Sequence, residues 1–167
     1  MKRNHLIALL ITFAMLFVSG VAFAASATAN LTINATVSAT AKLTFGSTTM
    51  TFTNQDPDTT PAIAASENAV SVTAKVRTGA ASLATLTVLT GGDLTSGTNT
   101  IAISNVTWTA SGTGFVPGTM NKTTAQSVGS WTGSGVRNGT LSFSLANSWS
   151  YATGSYAATS TFTLTAP

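Results

Sequence analysis

The chain has no cysteine, and its only histidine is His5, close to the N-terminus. Downstream of that residue there is no thiol nucleophile, no imidazole base and no Cys or His metal ligand. Ser–His and Cys–His hydrolase sites, zinc sites and thiol redox sites are excluded with them. Disulfides are excluded too, so stability must come from strand pairing and packing. Charge is scarce, at 7% of residues. Helical periodicity is missing after residue 28, and no second apolar run is long enough to span a bilayer. From these absences we expect no enzyme, no metal and no cofactor.

The first 24 residues carry the three parts of a secretory signal peptide. Lys2 and Arg3 are basic, Leu6 to Val18 is apolar, and Ala22-Phe23-Ala24 is a small-x-small cleavage site. The sequence therefore predicts export and a location outside the cell or on its surface. Beyond the signal, Lys42, Lys75, Arg77, Lys122 and Arg137 stand against Asp56, Asp58, Glu67 and Asp93. Five cations against four carboxylates, with no basic run, give nucleic-acid binding no electrostatic support.

Thr, Ser, Gly, Ala and Asn dominate what remains. From Leu31 to Phe45 apolar and polar residues alternate without a break. Leu31, Ile33, Ala35, Val37, Ala39, Ala41, Leu43 and Phe45 occupy one side. Period two marks a half-buried strand. Fifteen residues would run roughly 50 Å, against the usual five or six residues of a strand. Such a segment is either bent into two strands or longer than its own domain can cover. The second alternative makes it a candidate to pair with another subunit.

Further strands are predicted at 48–53, 70–78, 83–90, 101–110, around Leu141, Phe143 and Leu145, and at 156–166. Loops are predicted at 54–61, 112–118 and 133–139. Short strands with turn signals every 8–12 residues argue for an all-β chain folded as an antiparallel sandwich. The expected organisation is a signal peptide (1–24), an N-terminal extension (25–38) and a β-sandwich domain (39–167).

Asp56-Pro57-Asp58 reads as a solvated turn, because a calcium loop needs more oxygen ligands. Trp131 and Trp149 sit beside Gly and Ser. They are the expected exposed aromatic pair and the candidate glycan platform.

Asn30-Leu-Thr-Ile-Asn-Ala-Thr-Val37, followed by Lys42-Leu-Thr-Phe45, resembles the N-terminus of chaperone–usher fimbrial major subunits. The likeness is to the cysteine-free colonisation-factor class and to spore-coat-U-like secreted subunits. The close, Gly154-Ser-Tyr156 with Phe162-Thr-Leu164, is similar to the last strand of such pilins. The resemblance implies an incomplete immunoglobulin-like sandwich with an extended N-terminal strand. It implies a homo-oligomeric fibre, with a periplasmic chaperone and an outer-membrane usher as partners. Residues 29–38 would be the donor strand, and Leu31, Ile33, Ala35 and Val37 the side chains that fill a neighbour's groove.

A second resemblance is to WxL domains of bacterial cell-wall proteins. Val76-Arg-Thr-Gly79, Leu86-Thr-Val88 and Gly92-Asp-Leu94-Thr-Ser-Gly97 carry it, together with the close from Gly154 to Pro167. Ala84 and Phe162 stand where that family has its signature tryptophans. It implies the alternative function, a carbohydrate-binding module of the cell surface.

Overall fold

The computed structural model describes residues 25–167. The signal-peptide reading lies outside the described residues. The chain divides after Thr36 into a short N-terminal unit and a folded unit, Val37–Pro167.

The folded unit is all-β, and every pairing in it is antiparallel. Its strands are β1 (Thr40–Phe45), β2 (Ala62–Ala64), β3 (Val70–Arg77), β4 (Leu83–Thr90), β5 (Leu94–Ser96) and β6 (Asn99–Ile101). They continue as β7 (Val106–Ser111), β8 (Gly118–Thr119), β9 (Gln126–Thr132), β10 (Gly135–Ala146) and β11 (Ser160–Thr165). The first sheet runs β1-β3-β10-β7-β8, with β2 also on β10. The second runs β11-β4-β9, and β5-β6 is a separate hairpin.

Alternation builds the core. Val70, Val72, Ala74 and Val76 of β3, with Leu141, Phe143 and Leu145 of β10, turn one way from the first sheet. Ala84, Leu86 and Val88 of β4 turn inward from the second, and Val70, Val72, Ala74, Leu141, Phe143 and Leu145 form one buried cluster with Leu86 and Val88. Apolar faces this well removed from water are the main stabilising term, at roughly 25 cal/mol per Å². Thr90 is the one buried polar residue among these, and its hydroxyl pairs with that of Ser160 at 2.9 Å.

Two tryptophans complete the core, and glycines make room for them. Trp108 donates its indole N–H to the carbonyl of Val116 at 2.9 Å, and Trp131 donates to that of Thr113 at 2.7 Å. A Cβ on Gly118 would collide with the Trp108 ring, and one on Gly114 with the Trp131 ring. Gly114 also takes a φ of +82°, a conformation that other residues rarely adopt. The predicted Gly/Pro loop at 112–118 is thus the lid under which both indoles pack.

Several boundaries differ from the sequence reading. The long alternating segment becomes a strand only from Thr40. Residues 48–53 form no strand, although Met50 and Phe52 pack on the core. The expected loop at 133–139 is mostly strand, because Gly135–Leu141 pairs along β3. Tertiary pairing there outweighs the weak strand propensity of Gly and Asn. The 101–110 run is interrupted by a 3-10 turn at Ile103–Asn105, and the C-terminal strand starts at Ser160 rather than at 156. β9 carries a pattern that the sequence reading did not register.

Candidate assembly edge and aromatic patch

Each sheet has two edges, and they end differently. On one side, the segment between β7 and β9 bridges the sheets. β8 pairs with β7, while Val116 N–H donates to Val128 and Ser130 N–H to Gly114, along β9. That side is laced shut. On the other side lie β1 and β11, which pair inward with β3 and β4 only. Among the described residues, neither has a strand on its outer edge.

These two free edges lie close together. The rings of Phe45 and Phe162 meet at 4.8 Å between centroids, tilted by 58°. Leu43 and Phe45 of β1, and Phe162 and Leu164 of β11, pack against the core but stay only half-buried. The equivalent residues of β3, β4 and β10 are almost fully buried. The β1–β11 seam is therefore where the interior is least covered, between two rows of unpaired backbone groups. An unpaired strand edge is a template for another chain.

The expected donor side chains lie in the N-terminal unit or at the start of the folded one. Residues 25–39 form no strand. Leu31 is 85% exposed, Ile33 84% and Val37 69%, and Ala35 is exposed as well. No residue from 25 to 45 is Gly, Pro or Asp.

The aromatic pair is divided. Trp149 is 70% exposed, whereas Trp131 is buried at 5%. The expectation that both are exposed fails at Trp131 because of a bulge. The β4–β9 register shifts between Leu86 and Thr87, so one residue of β9 has no partner. Such an insertion reverses the in–out parity along a strand. Val128 and Trp131 then both face inward although three residues apart.

Trp149 is brought to the predicted solvated turn. Its indole N–H donates to Asp58 Oδ1 at 3.0 Å, across 91 positions of sequence. The loops on both sides are braced. Asn147 donates from its side chain to the carbonyls of Gln55 and Thr60, at 3.1 and 3.0 Å. Asp56 accepts the amide of Asp58 at 2.9 Å, and the Ser148 and Ser150 hydroxyls pair at 2.8 Å. Nearby, Tyr151 donates its hydroxyl to the Ala146 carbonyl at 3.0 Å, and burial raises its phenol above the usual value. Nothing local in the sequence signals the Asp58–Trp149 pair, since only the fold brings them together.

No group of three or more His, Cys, Asp or Glu is placed to hold a metal ion among the described residues. Among the same residues, no helix is long and apolar enough to cross a membrane.

No family model, curated protein or solved structure matches the chain. A functional reading therefore has to stand on the edges and the patch themselves.

Proposed function

We propose that the protein is an exported structural subunit of a bacterial surface fibre or coat. It assembles when residues 29–38 of one copy pair at the β1–β11 seam of the next. The observation that carries this reading is a match of opposites within one chain. The chain holds both an alternating, exposed segment with no strand of its own and two free edges with half-covered apolar side chains.

The occupant follows from chain geometry. A segment directly preceding β1 must reverse to lie along its own edge. Tight reversals use Gly, Asn or Asp at positive φ, and Asn30 and Asn34 lie inside the alternation rather than next to Thr40. A second copy needs no reversal. Leu31, Ile33, Ala35 and Val37 then face the interior between the sheets, and main-chain hydrogen bonds hold the strand. The scarcity of charge suits a surface that is largely covered by assembly. An open seam also invites aggregation before assembly. A periplasmic chaperone and an outer-membrane usher, the partners implied by the fimbrial resemblance, would protect it.

The test compares residues 25–167 with residues 39–167 by light scattering on a sizing column and by unboiled denaturing gels. A ladder of detergent-resistant oligomers that vanishes with the deletion is the expected result. A monomer from the longer chain would refute strand donation.

A further inference from the structure

The Trp149 patch is independent of the seam, and its chemistry is specific. Trp149 is the most exposed large apolar side chain of the folded unit. Its one polar atom is already bonded to Asp58, so what it offers to solvent is the ring itself. That bond fixes the orientation of the ring, and the braces from Asn147 and Asp56 fix the loops that carry it. Little freedom is left to lose on binding, which is the condition for a weak contact to become useful.

The surroundings select the ligand. The other exposed large apolar side chains of the folded unit, Val37, Leu83, Leu89, Val116 and Val136, lie outside these loops. A protein-binding surface would instead gather several apolar anchors around a dry centre. Here a single indole stands among the hydroxyls of Ser148 and Ser150 and the carboxylates of Asp56 and Asp58. Oδ2 of each carboxylate accepts no hydrogen bond among the described residues. No Lys or Arg occurs between residues 46 and 74 or between 138 and 167. An exposed apolar ring on loops that carry acceptors and no cation of their own matches a neutral pyranose. Its axial C–H groups would lie on the indole, and its hydroxyls would donate to the carboxylates. Acidic sugars would be repelled.

We propose that Trp149, with Asp58 and Asp56, forms a stacking site for a neutral, β-linked, gluco-configured saccharide on the flank of each subunit. All-equatorial hydroxyls leave such a ring with the flattest C–H faces.

Acrylamide quenching reads this site directly, because Trp108 and Trp131 are buried and only Trp149 is open to the quencher. Cellohexaose, a neutral β-1,4-glucan fragment, is the probe for the chain from Ala25 onward. Saturable protection of the emission is expected, with no protection by an oligoglucuronate. By calorimetry, Trp149→Ala should weaken cellohexaose binding by about tenfold or more, as expected when one stacked ring is lost. Asp58→Ala should weaken it less, by freeing the ring. Both variants should keep the wild-type thermal melt, since Trp149 is exposed. Absence of saturable protection, or equal protection by the acidic oligomer, would overturn the proposal. So would an emission already shielded without sugar in oligomers but open in the 39–167 monomer, because a neighbouring subunit would then cover the patch.

Discussion

Glu67 shows how one side chain can hold a segment that lacks a strand. Its carboxylate accepts the amide of Thr51 at 2.7 Å and the hydroxyl of Thr51 at 2.8 Å. These bonds, the amide first, hold its pKa below the usual carboxylate value. They tie down the stretch from which Met50 and Phe52 reach the core. Asp93 is lowered in the same direction, first by its hydrogen bond from Lys122 (2.5 Å) and then by the amide of Ile103. A carboxylate with a depressed folded pKa stabilises the fold above its unfolded pKa, and this is lost as pH falls through the folded value. Thermal melts should therefore be flat down to about pH 5 and fall steadily below it. Glu67→Gln should make that fall shallower, because the group that protonates has been removed. An unchanged acid profile in this variant would show that Glu67 does not contribute.

Among elements, the β2–β3 edge is the most dependent on a single residue. β2 pairs with Ser144–Ala146 of β10, and β3 with Gly135–Leu141. Between them the ladder is open at Phe143. Asn68 fills the gap with its side-chain amide, donating to the Phe143 carbonyl at 2.7 Å and accepting its N–H at 2.8 Å. The carbonyl has a second donor in Ala65, at 3.0 Å, but the N–H has only Asn68. Asn68→Ala would orphan that amide inside the sheet, at a cost of about 1–3 kcal/mol. Urea titration should show this as a lower midpoint with an unchanged slope. Asn68→Asp should lie between, since it can accept but not donate. The bulge in β9 acts at the same scale. One extra residue decides that Trp131 packs beneath Gly114 instead of facing solvent.

At the scale of the whole molecule, the free side of the sandwich and the N-terminal segment are two halves of one prediction. Residues 25–36 belong to the N-terminal unit, and residues 25–38 lie in no strand. The 39–167 subunit should therefore fold on its own, with a melting temperature within about 2–4 °C of the monomeric longer chain, a shift worth about 1 kcal/mol or less. In assembled material the longer chain should melt far higher, because a bound strand stabilises only the folded state. Equal melts for polymer and truncated monomer would mean that the seam gains nothing from its occupant.

Local pattern was enough for the all-β class and for the inward faces of β3, β4 and β10, but not for where the N-terminal alternation becomes a strand, which is only at Thr40. Period-two alternation is a property of neighbours along the chain, and burial follows it wherever a sheet has one face covered. The sequence by itself also excluded thiol and imidazole chemistry, since those groups are simply missing downstream of His5. Tertiary structure alone decided the rest. Whether an alternating strand is central or an edge depends on its neighbours, so β1 and β11 became free edges only through the sheet order. The parity of Trp131 depended on a bulge opposite β4. The meeting of Asp58 with Trp149 depended on loops 91 positions apart arriving at one place. Each of these is a long-range pairing, and no local pattern encodes such a pairing because its partner lies elsewhere in the chain.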